Sequence, residues 1–76
     1  MQKVQSVVFK KPNFDLNKCA NWLVKNNFQI KKVDETKNTF RFRQISPQLL
    51  RREGYNNYRT VSINPNIDLV IAFKAV

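Results

Sequence analysis

Thr39-Phe40-Arg41-Phe42-Arg43-Gln44 alternates two phenylalanines with two arginines. That period-two pattern is a β-strand with one face in a core and the other in water. Gln29-Ile30-Lys31-Lys32-Val33-Asp34 stands before it across Glu35-Thr36-Lys37-Asn38, and Asn38 suits a positive φ, so the two runs predict a β-hairpin. Ile30 and Val33 fall on opposite faces of the first run, which leaves room for a bulge there.

Toward the amino terminus, Val4-Gln5-Ser6-Val7-Val8-Phe9 is β-branched and aromatic, and Lys10-Lys11-Pro12 closes it as a first strand. Asp15 is placed to cap a helix whose apolar face is Leu16, Cys19, Ala20 and Leu23 at i, i+3, i+4, i+7, running from Leu16 to about Asn26. Asn27 suits the left-handed residue after the last turn, and Phe28 can fold back on Leu23 in a Schellman stop. Toward the carboxyl terminus, Ser46-Pro47 reads as an N-cap and first helical residue, and Gly54 as a stop, so Pro47 to Arg52 forms a short helical turn in an otherwise irregular linker reaching Asn57. Arg59-Thr60-Val61-Ser62-Ile63 and Ile67 to Lys74 make a second hairpin across Asn64-Pro65-Asn66. Its expected buried face is Val61, Ile63, Ile67, Leu69, Ile71 and Phe73. Val70 and Ala72 make the other face of the last strand apolar too, which favours a place beside the first strand in the sheet centre. The expected architecture is α+β: a mainly antiparallel sheet of about five strands with one α-helix packed on it, in the order β-α-β-β-β-β, as a single small basic domain over residues 1–76.

Composition narrows the function. The 76 residues carry a net charge of +9, and 42% of them are hydrophobic, too apolar for a disordered chain. There is no histidine and one cysteine, which excludes an internal disulfide and leaves no ordinary zinc ligand set. No run suits a signal peptide or a membrane helix, so the expectation is a soluble intracellular protein with a reduced thiol and no membrane contact. Five carboxylates without histidine give little from which to build an acid–base pair or an activated nucleophile, so an enzyme, a cofactor and a metal are not expected. Glu35-Thr36-Lys37 spells the E-x-K of metal-dependent nucleases, but in a hairpin turn it reads as solvated polar residues. Cys19 on the apolar helix face reads as a small buried hydrophobe.

The basic residues are the candidate site. Arg41 and Arg43 alternate outward from one strand, Arg51 and Arg52 follow in the linker, Arg59 opens the next strand, and Tyr55 and Tyr58 lie between. Arginine forks match phosphate oxygens, and tyrosines offer platforms for unpaired bases. Lys31 and Lys32, with Lys37, Lys10 and Lys11, extend a phosphate track if the faces coincide. The ordinary alternative is a solvated face, with both tyrosines covering an edge of the core. The overall charge favours a polyanion: nucleic acid, DNA before RNA, bound without sequence reading. Trp22, Phe40 and Phe42 could stack on bases but are expected in the core, which a one-helix domain needs them to fill.

Trp22-Leu23 through Phe28, Lys32-Val33-Asp34-Glu35-Thr36-Lys37-Asn38 and Arg41-Phe42-Arg43-Gln44 resemble a small uncharacterised domain of phages and large DNA viruses. In some phages a similar segment precedes proteins linked to head assembly. The likeness runs from Val7-Val8-Phe9-Lys10 to Leu69-Val70-Ile71 and departs at the last hairpin, where related sequences carry glycine and this chain has Asn64-Pro65-Asn66 and Ala72-Phe73. It implies no catalytic residue. It implies a viral setting, with the protein in the host cytoplasm or nucleus or in the virion, and the excess of asparagine and lysine agrees with an AT-rich coding sequence. The second expectation is then a protein-binding or structural module of particle assembly, contacting a viral or host protein through the basic face or a strand edge.

Overall fold

The computed structural model describes residues 2–74. Its elements are β1 (Gln2–Lys10), α1 (Leu16–Lys25), β2 (Val33–Glu35), β3 (Thr39–Arg43), α2 (Pro47–Arg52), β4 (Asn57–Asn64) and β5 (Ile67–Phe73). The five strands form one antiparallel sheet in the order β2-β3-β1-β5-β4, so the fold is α+β and mostly sheet. The last strand does lie beside the first.

α1 is bounded as its sequence predicts. The Asp15 carboxylate accepts from the Lys18 N–H at 2.8 Å. At the other end Asn27 takes φ 63°, the Phe28 N–H donates to the Leu23 carbonyl and the Asn27 N–H to that of Val24, the paired bonds of a Schellman motif. Phe28 then stacks on Trp22, with ring centroids 5.8 Å apart and planes 6° from parallel.

The principal core lies between α1 and one face of the sheet. Val7, Phe9, Phe40, Phe42 and Ile67 meet Cys19 and Leu23 there, with Val4, Phe14, Trp22, Phe28 and Leu69 packed around them. Phe9 touches Trp22 and Phe42 edge to face. Phe9, Phe40 and Phe42 are therefore core residues, with Phe14, Trp22 and Phe28 packed against them.

Three local expectations need correction. The hairpin turn does not use a positive φ at Asn38; Thr36 Oγ1 accepts from the Asn38 and Thr39 N–H groups and closes the turn with a side chain. The left-handed residue is Lys32, at φ 57°, and it turns the chain between Ile30 and Val33, so β2 begins only at Val33. Those two apolar residues could not share a strand, and both stay exposed. In the second hairpin the register shifts between Ser62 and Asn64, and Ile63 is 45% exposed instead of buried. A helix is about 10 Å wide and strands lie about 4.8 Å apart, so one helix shelters two or three strands. α1 sits over β3, β1 and the start of β5, and β4 lies beyond it. The helical turn expected from Pro47 to Arg52 is present as α2, and it lies over the opposite face of the sheet.

Candidate nucleic-acid interface

The site is built on that second face. Ser46 caps α2 by accepting from the Leu49 N–H, Pro47 occupies the first turn, and Gly54 at φ 90° ends the helix. The Tyr55 N–H donates to the Leu50 carbonyl and the Gly54 N–H to that of Arg51, repeating the Schellman stop of α1. The motif brings Leu50 and Tyr55 together over Ala72, with Ile45 beside them, as a second small cluster. Here lies the reason for apolar residues on both faces of β5: each face meets a different helix. Across the Tyr55 ring stand Lys3 and Lys74, with ammonium nitrogens 5.3 and 5.0 Å from its centroid.

β1 contributes a bulge. Its pairing with β5 shifts between Val4 and Ser6, so Gln5 is an extra residue, and both Gln5 and Ser6 are buried. Ser6 Oγ donates to Gln5 Oε1 at 2.7 Å, Arg41 Nη2 donates to the same oxygen at 3.1 Å, and Arg41 Nε donates to Ser6 Oγ at 3.3 Å. Arg41 is thereby held across the sheet by two neutral partners. The nearest carboxylate across the sheet, Asp34 opposite it on β2, pairs instead with Arg43.

A concavity of about 550 Å³ opens between α2 and this part of the sheet, lined by Gln5, Arg41, Pro47, Arg51, Tyr55, Asn56, Tyr58 and Val70. Four of the residues singled out in the sequence, Arg41, Arg51, Tyr55 and Tyr58, therefore meet in one place. A second concavity of about 210 Å³ holds three more, Lys31, Lys32 and Arg43, together with Gln29, Gln44, Ile45 and Ser46. There the Gln44 amide accepts from the Gln29 N–H and donates to the Gln29 carbonyl, a side chain pairing with backbone where β2 has not yet begun. Arg52 and Arg59 line neither concavity, nor do Lys10, Lys11 and Lys37. Arg52 is exposed on α2, and Arg59 sits in register with Ile71 and Val4, which places it on the α1 face of the sheet. Tyr55, 2% exposed, is a core residue and offers no open ring; Tyr58, 44% exposed, does.

Sequence reasoning missed Gln5, Asn56, Pro47 and Val70. A signal for Gln5 existed: Gln5-Ser6, two polar residues between Val4 and Val7, breaks the alternation as a bulge does.

Among the described residues, no carboxylate lines the larger concavity, although Asp34 is the cross-strand neighbour of Arg41 on the same face of the sheet. Asp15 caps α1, Glu53 pairs with Lys3 at 3.0 Å, Glu35 with Lys11 at 2.6 Å, Asp68 with Lys10 at 3.7 Å and Asp34 with Arg43 at 3.9 Å. Among the described residues, no carboxylate pairs with Arg41 or Arg51. Glu35 of the E-x-K pattern is thus bound to Lys11, and no cluster of three or more metal-ligating side chains exists among the described residues. Cys19 lies in the α1 core, and burial pushes its thiol up to about 11, so it holds its proton at neutral pH.

Comparison with protein-family models, curated proteins and solved structures finds no match. The larger concavity brings together two guanidinium groups that make no ion pair among the described residues, the open Tyr58 ring and the exposed Asn56 amide. No helix among the described residues is long and apolar enough to cross a membrane.

Proposed function

We infer that the protein is a non-enzymatic module that binds nucleic acid, DNA before RNA, largely without regard to sequence, through the face that carries α2. One observation supports this reading: the carboxylates cap a helix or pair with other cations, while Arg41 and Arg51, neither of them in an ion pair among the described residues, line a concavity with an open aromatic ring. Lys31 and Lys32 in the neighbouring concavity extend the positive surface, beside Arg43 in its pair with Asp34. Phosphate contacts of this kind release condensed counterions, so affinity falls steeply with salt.

Fluorescence anisotropy of labelled oligonucleotides between about 50 and 200 mM salt tests it. Arg41→Ala with Arg51→Ala is expected to weaken binding to every sequence and to flatten the salt slope by about two units, one per lost phosphate contact. An unchanged slope in the double variant removes these arginines from the interface. No binding by the original protein at low salt overturns the reading.

A second reading, a protein-binding module of particle assembly in the viral setting that the resemblance implies, has an observation of its own. β4 pairs on one side only, with β5, and leaves its other backbone edge open beside the exposed Ile63. Light scattering that shows a stable oligomer, lost on replacing Ile63 by Lys, favours this reading.

A further inference from the structure

Resting on the nucleic-acid reading, we propose that the ligand is a single strand: one unstacked base lies against Tyr58 in the larger concavity, its phosphate meets Arg41 and Arg51, and the strand continues past Ser46 to Lys31, Lys32 and Arg43. Three features select a single strand over a duplex.

The first is shape. A duplex presents phosphates outward and keeps its base faces stacked, so reading it takes an element that projects into a groove. α2 has six residues and is packed on the sheet through Leu50, while α1 lies on the opposite face from the larger concavity. What this face presents instead is a hollow of about 550 Å³, in the range of pockets that enclose a small ligand. An extruded base fits a hollow, and a cylinder does not.

The second is lining chemistry. Phosphates alone would need only cations, yet Tyr58 and Asn56, both exposed, share the wall with Arg41 and Arg51. An open aromatic ring takes any base by its face, and amide side chains meet base edges. The sheet also turns Tyr58 to this side through its register with Ala72 and Lys3.

The third is continuity. The two concavities share the segment Ile45-Ser46-Pro47, with Ile45 and Ser46 lining one and Pro47 the other. Arg41 and Arg43 are two residues apart on the same face of β3, a spacing of about 6.7 Å, and each faces its own concavity. One extended strand can engage both.

The test compares a labelled single-stranded DNA of about a dozen nucleotides, the RNA of the same sequence, and the corresponding DNA duplex, by anisotropy at matched salt concentrations between about 50 and 200 mM. Either single strand is expected to bind at least tenfold more tightly than the duplex. Tyr58→Ala is expected to reduce single-strand affinity about tenfold with the salt slope unchanged, and Tyr58→Phe to restore it, as stacking requires. A single strand lacking its bases supplies a measurement on the original protein: it should bind as weakly as intact strands bind the Tyr58→Ala variant. Equal affinity for strand and duplex, or for intact and base-free strands, overturns the single-strand assignment while leaving nucleic-acid binding in place. Absence of binding to all of them at low salt overturns both.

Discussion

Gly54 and Cys19 show how single residues set limits on this fold. Gly54 adopts φ 90°, and a Cβ there would meet only the Lys74 side chain at 3.8 Å, so space is not the constraint. The backbone is: Gly54→Ala is expected to cost about 1–2 kcal/mol, seen as a lower urea midpoint with an unchanged slope. Cys19 constrains the alkaline limit. Its thiol is raised from 9.0 to about 11 by burial and, secondarily, by the Asp15 charge, so the folded protein keeps a proton that the unfolded chain releases. That contribution is intact below about pH 9 and is lost as pH rises toward about 11. Urea midpoints across that range should fall more steeply for the original protein than for Cys19→Ala. Individual residues were also where the sequence was hardest to read. Nothing in Lys32 announces a left-handed lysine, because most L-residues avoid that region and only the surrounding contacts hold it there. Tyr55 and Tyr58 look equivalent in the sequence, and only the Schellman stop at Gly54 turns one of them inward.

The two helices end alike and serve differently. α1 fills the larger core; α2 forms a wall of the concavity and carries Arg51. Removing either N-cap should cost about 1 kcal/mol, whether Asp15→Ala or Ser46→Ala. The expected difference lies in binding: Ser46→Ala loosens the wall that holds Arg51 and weakens oligonucleotide affinity, whereas Asp15→Ala leaves it unchanged. Melting curves and anisotropy on the same pair of variants separate the two effects. Helix limits were legible because capping depends on residues close in sequence, and Asp15, Asn27, Ser46 and Gly54 all stand where the chemistry requires them. β3 was legible because Phe40 and Phe42 keep strict alternation. β2 and β4 were read less well, since their partners are decided at a distance: a ten-residue helix cannot reach β4, and Ile63, though apolar, is left outside.

At the scale of the molecule, local pattern foretold the sheet's composition better than the gathering of its charges. Arg59 belongs to the same basic run as Arg41 in the sequence, yet the sheet sends the two to opposite faces. Conversely, Gln5 reaches Arg41 although 36 positions separate them. The order β2-β3-β1-β5-β4 places the first and last strands side by side, with Gln2 opposite Phe73. Residues opposed in this way lie about 5 Å apart, so a short linker could join Phe73 to Gln2 and new ends could be opened at Pro12-Asn13, before α1. In such a circular permutant β5 and β1 become a hairpin, and among sheet neighbours only β1 and β3 would remain distant along the chain. Closing a long loop is an entropic barrier to folding, and β1–β5 pairing is the longest loop this chain must close. Stopped-flow refolding of the permutant should therefore be faster than that of the original order, from the same side chains on the same sheet.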